Sequence, residues 1–142
     1  MTNPYRSASQ AYAQDSILTA APEKLVVMLY DGLARFLARA AAAIRAEDIA
    51  AAGTALNRAG AILDELLATL DPAAGEIAER LSEIYLFCKR ELLAAQLKRD
   101  PARIERVAKL LAELRESWAA IAEAPPEAAM GRPTLGAAGA QA

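Results

Sequence analysis

Few kinds of reactive side chain occur in this 142-residue sequence: no histidine, a single cysteine at Cys88, and otherwise carboxylates, lysines, arginines and four tyrosines. Without histidine there can be no His-based triad, no His-ligated zinc site, and none of the paired Glu-x-x-His sets that hold two metal ions inside a helical bundle. Cys88 has no second cysteine to bond with, and it falls within an apolar stripe, where a thiol is a packing group rather than a nucleophile. No Gly-rich loop that could cradle a phosphate is present. No catalytic, metal-binding or cofactor-binding residue is therefore expected, and no enzymatic activity.

The remaining chemistry is recognition. Lys89, Arg90, Lys98, Arg99, Arg103, Arg106 and Lys109 form the one basic cluster, but Glu91, Asp100 and Glu105 interrupt it and the chain carries a net charge of −2. A nucleic-acid site needs an uninterrupted positive face. A solvated helical face explains the cluster better: Lys98 and Arg99 close a predicted helix at its negative dipole end, and Glu105 and Lys109 are a favourable i,i+4 pair.

The elements that must position these residues are helices. The chain is 55% apolar but only 5% aromatic, so its apolar content is mostly Ala and Leu, strong helix formers. One helix is predicted from Pro22, a residue tolerated in a first turn, to about Ala46, with Thr19 as its candidate cap; its stripe is Leu25, Met28, Leu29, Leu33, Phe36, Leu37, Ala40 and Ile44. A second begins at the Asp48 cap and ends before Asp71, with Ile49, Ala52, Leu56, Ala59, Leu63, Leu66, Leu67 and Leu70 inward. A third opens at Asp71-Pro72 or at Gly75-Glu76 and turns Ile77, Leu81, Ile84, Tyr85, Cys88 and Leu92 toward the core. The fourth starts at Asp100-Pro101 and runs through Ile104, Val107, Leu110, Leu111, Leu114, Trp118 and Ile121 to about Ala124. Short connections force successive helices to run antiparallel, which predicts an all-α, up-down four-helix bundle over residues 21–124. Residues 1–20 lack sustained periodicity and read as an extended arm, and residues 125–142, rich in Pro, Gly and Ala, as a disordered tail. The N-terminus has no secretory signal and no apolar run approaches the length needed to span a bilayer, so a cytoplasmic protein without membrane insertion is expected.

Three features exceed what a bundle core needs. The third helix carries Leu86, Phe87, Leu93 and Leu97 outside its inward stripe, a surplus that must be covered by the arm or by a partner. Gly53 and Gly60, seven apart on the second helix, either admit a close neighbour or are merely tolerated. Tyr30 and Tyr85 are expected at the edge of a groove, because a tyrosine hydroxyl seeks solvent or a polar partner, and Tyr5, Tyr12, Ile17 and Leu18 of the arm need an apolar surface to rest on. These six residues, with Leu86 and Leu93, are the candidate partner-binding set.

The segment from Ala11-Tyr12 through Ser16-Ile17-Leu18-Thr19-Ala20-Ala21-Pro22-Glu23-Lys24-Leu25-Val26-Val27-Met28-Leu29-Tyr30-Asp31-Gly32 resembles the flagellar secretion chaperone family FliS. The likeness continues through Asn57 to Leu67, Gly75 to Ala78, Leu81 to Tyr85 and Leu111 to Trp118, and so spans about residues 5–120. Ala21 stands where Ser is usual, and Gln96 where Asn is usual after Ala95. The resemblance implies a cytoplasmic export chaperone that binds the disordered C-terminal segment of flagellin one-to-one, prevents premature polymerisation and supports delivery to the flagellar type III export apparatus. The export gate is implied as a further partner; the arm, whose Tyr5, Tyr12, Ile17 and Leu18 need an apolar rest, is expected either as a displaceable lid over the binding groove or with its tyrosines stapling it to the bundle or themselves touching flagellin. The competing reading is a self-associating helical scaffold with no flagellin client; in either case the free chain would be a monomer or weak homodimer.

Overall fold

The computed structural model describes residues 22–123. Four α-helices follow one another: α1 Pro22–Arg45, α2 Ile49–Ala68, α3 Glu76–Lys98 and α4 Pro101–Ala122, with a 3₁₀ turn at Pro72–Ala74. The arm, the tail and the Thr19 cap expected from the sequence lie outside the described residues.

Each boundary has a local cause. The Asp48 carboxylate accepts from the Ala51 N–H at 3.1 Å, and Asp100 accepts from the Arg103 N–H at 3.3 Å, which satisfies donors left unpaired at the starts of α2 and α4. Immediately before each of these caps the chain turns through the left-handed region, at Glu47 (φ 59°) and Arg99 (φ 52°). The following amides reach back to close the preceding helix, Asp48 to the Ala43 carbonyl and Asp100 to that of Ala95, both at 2.9 Å. A helix end and the next helix start are thus compressed into adjacent residues. Between α2 and α3 the two start signals are both used: Asp71-Pro72 opens the 3₁₀ turn, and Gly75 at φ 71° redirects the chain into α3.

The helices form an antiparallel bundle. The end of α1 meets the start of α4 through Arg45 and Glu105, while Asp31 near the start of α1 meets Arg115 near the end of α4. Lys89 of α3 pairs with Asp64 of α2. Helix α1 packs extensively against both α2 and α4, whereas α3 touches the same two neighbours along a much thinner seam and stands diagonally across from α1. The core follows the centre of the expected stripes: Leu33, Leu37, Leu63, Leu66 and Ile104 are all at most 1% exposed, whereas Leu25, Met28 and Ile121 are only half-buried and lie outside it. Each such side chain withdrawn from water contributes about 1.5–3 kcal/mol. Ile49 departs from its predicted inward place: at 44% exposure it sits on the surface at the first residue of α2, beyond the point where the bundle closes over its stripe.

Gly53 and Gly60 do not mark a close helix approach. A Cβ at Gly60 would meet nothing within 4 Å, and one at Gly53 would make only an ordinary contact with Gln96. The tight crossing is at Gly32 on α1, where a Cβ would stand 3.3 Å from the Ile62 side chain of α2.

Candidate functional site

The outer face of α3 is where the fold leaves apolar surface uncovered. Leu86 and Phe87 are each 44% exposed, Leu93 58% and Leu97 76%, so four of the five large exposed hydrophobic side chains among the described residues belong to this helix. The cause is angular. Leu81, Tyr85, Cys88, Leu92 and Ala95 already occupy the arc of α3 that faces the core, and the surplus leucines fall more than a right angle away from it at 100° per residue. The flank of α3 that carries Leu86, Leu93 and Leu97 is the one adjoining α2, as fixed by the Lys89–Asp64 ion pair and by the position of Gln96 beside Gly53. The open space over Gly60 lies on the facing side of α2, so the groove between these helices is shallow and floored by small residues. At the α2–α3 turn it ends in an open depression of about 500 Å³ lined by Leu67, Leu70, Pro72, Ala78, Glu79, Ser82 and Glu83.

Charged side chains around this face divide into two groups. Glu76 pairs with Arg80 at 2.5 Å, Lys89 with Asp64, and Glu91 with Arg103 at 3.3 Å. Glu79, Glu83, Arg90 and Lys98 are exposed and make no ion pair among the described residues. The predicted basic cluster is therefore partly neutralised by the acids that interrupt it in sequence.

Of the residues expected to meet a partner, Leu86 and Leu93 are on this face. Tyr30 and Tyr85 are not at a groove edge: they are 2% and 1% exposed, and their hydroxyls share a 2.6 Å hydrogen bond in the bundle interior. Each tyrosine found its polar partner in the other, across the diagonal between α1 and α3, and so needed no solvent. Burial raises both phenols above their ordinary value; for Tyr30 the charge that Tyr85 would carry raises it further, whereas for Tyr85 the bond from Tyr30 partly offsets the rise. Trp118 packs beside the pair, but its buried indole N–H meets no acceptor at hydrogen-bond geometry. Tyr5, Tyr12, Ile17 and Leu18 lie outside the described residues. Phe87 and Leu97, absent from the predicted set, belong to the exposed face; the signal was their place outside the inward stripe.

Cys88 is fully buried, and burial, with a smaller contribution from the Glu91 charge, pushes its thiol up to about 11. A thiol held protonated in an apolar core is no nucleophile at neutral pH. No group of three or more His, Cys, Asp and Glu among the described residues could hold a metal ion, and no helix there is long and apolar enough to cross a membrane. What distinguishes this surface is the uncovered apolar face of α3.

The model of the family described as Flagellar protein FliS matches residues 4–125, most of the chain. The chain belongs to the FliS family. It is 42% identical over 118 residues to the flagellar secretion chaperone FliS of Salmonella typhimurium, a match covering 79% of this chain and 87% of that one. It is 40% identical over 112 residues to its counterpart in Campylobacter jejuni, covering 78% and 88%, and 33% identical over 116 residues to that of Bacillus subtilis, covering 82% and 84%. Within the FliS family, then, this chain is a member built as a four-helix bundle.

Proposed function

We propose that this protein is a cytoplasmic chaperone that holds the disordered C-terminal segment of flagellin one-to-one, prevents its premature polymerisation and delivers it to the flagellar type III export apparatus. The observation that carries this reading is the exposed apolar face of α3, Leu86, Phe87, Leu93 and Leu97, on a bundle whose other apolar stripes are buried. A disordered client presents its apolar residues only as it becomes an amphipathic helix, and a shallow groove along a rigid helix is the surface on which such a helix docks. Ordering the client on binding offsets part of the gain from burial, so the complex can be specific and still release its cargo.

The test is calorimetry of the purified protein with flagellin and with flagellin lacking its C-terminal segment, alongside filament assembly. One-to-one binding that requires the segment and suppresses assembly is expected. Binding to neither form, with concentration-dependent self-association in sedimentation, would instead favour a scaffold that uses the α3 face to meet a second copy of itself.

A further inference from the structure

Six exposed residues of α3, Glu79, Glu83, Leu86, Arg90, Leu93 and Leu97, follow one another at steps of four and three, so they form a single stripe with the 3.5-residue period of a coiled-coil seam. The stripe is polarised. Its first two residues are acidic, its second half carries Arg90 among the leucines, and it ends beside Lys98 and Arg99 at the α3–α4 turn. Their neighbours Glu76, Lys89 and Glu91 are all in ion pairs, while Glu79, Glu83 and Arg90 have none among the described residues. Glu79 and Glu83 also stand i,i+4 on one helix, a like-charge arrangement that disfavours the free helix and that a cation from another chain would relieve.

We propose that this stripe sets the direction in which the client helix docks, receiving it antiparallel to α3. The inference rests on the reading of the α3 face as the client site. A helix that complements its own dipole carries acidic residues in its first turns and basic ones in its last. Laid antiparallel, such a helix sets its acidic start against Arg90, Lys98 and Arg99 and its basic end against Glu79 and Glu83, while its apolar seam covers Leu86, Leu93 and Leu97. Laid parallel, it meets like charge at both ends. The stripe is roughly 27 Å long at 1.5 Å per residue, enough for about five turns of partner helix.

The test uses two synthetic amphipathic peptides of equal length and apolar spacing, one acidic-first and one basic-first, each with an acceptor dye at its N-terminus. The donor dye is placed on the full-length protein at Ala73→Cys, an exposed position at the acidic end of the groove; the buried Cys88 does not compete for it. Strong energy transfer is expected for the basic-first peptide and weak transfer for the acidic-first one, with the order reversed in an E79K/E83K/R90E/K98E/R99E variant that exchanges the charge of both ends. In parallel, E79K/E83K should weaken binding of full-length flagellin about three- to tenfold at low salt, an effect that shrinks at high salt. Equal transfer from both peptides, in a protein whose flagellin binding is lost on Leu93→Asp, would overturn the polarity while leaving the site intact. Unchanged flagellin binding in Leu93→Asp would overturn the site itself, and the polarity with it.

Discussion

The two diagonal helices α1 and α3 have similar lengths and similar apolar content, yet the bundle treats them differently. Helix α1 is clasped by α2 and α4, its Leu33, Leu37 and Ala40 reduced to 1% exposure or less, and a small residue at Gly32 brings α2 close. Helix α3 meets the same neighbours along a thinner seam and keeps four large apolar side chains outside. Apolar content alone therefore does not predict burial; what decides is whether a residue's angle on its helix points at a neighbour. One diagonal helix is enclosed by its neighbours and the other leaves apolar surface uncovered.

That contrast can be broken first at its stable side. Leu63→Ala, which removes a fully buried side chain packed in the common core, should cost about 2–5 kcal/mol, whereas Leu93→Ser should change stability by no more than about 0.5 kcal/mol. Urea unfolding of both variants checks this, and comparable losses would show that the α3 face is part of the core.

The hydrogen bond across the diagonal allows a sharper cut. Tyr85→Phe strands the buried Tyr30 hydroxyl and should cost about 1–3 kcal/mol, but Tyr30→Phe with Tyr85→Phe should recover much of that loss, because an apolar pair leaves nothing unsatisfied. A double variant weaker than the single would mean that the hydroxyls hold α3 in place by more than their mutual bond.

Alkaline pH probes the same interior. Cys88 is raised to about 11 in the fold, above its value in the unfolded chain, so its contribution is fully present below the unfolded pKa and is lost as pH rises through the folded one. Stability should therefore fall between about pH 8.5 and 11, by up to roughly 1.4 kcal/mol per unit, and Cys88→Ala should flatten that fall in pH-dependent unfolding. The raised tyrosines add to the slope, in the same direction, at higher pH.

The smallest expected effect is at the groove. Gly60→Ala meets no neighbour and should stabilise α2 by about 0.5–1 kcal/mol, read as a rise in the unfolding midpoint. A loss of stability there would mean that α2 and α3 come closer than the open groove allows.

Much of this was legible in the chain. The 3.6-residue apolar spacing and the Asp48, Asp71-Pro72 and Asp100-Pro101 signals act within a few residues, so they placed every helix to within a few positions. The surplus on α3 was equally plain, because Leu86, Phe87, Leu93 and Leu97 cannot share an arc with Leu81, Tyr85 and Cys88. Tyr30 and Tyr85 were misplaced because their partners are 55 residues apart in sequence, and no local pattern records that two hydroxyls will meet. Ile49 was misplaced because periodicity assigns a direction and says nothing of where the neighbouring helix stops. The seven-residue spacing of Gly53 and Gly60 is visible in the sequence, whereas the tight crossing at Gly32 depends on the path of a second helix.

The sequence by itself determined the helices, their order, the family and the existence of spare apolar surface, since each follows from short-range spacing or from matched residues along the chain. Only the tertiary structure decided which tyrosines are interior, which flank of α3 stays open, and which charges remain unpaired along it. Those outcomes depend on helix rotation and axial register, and both are set by packing among residues distant in sequence.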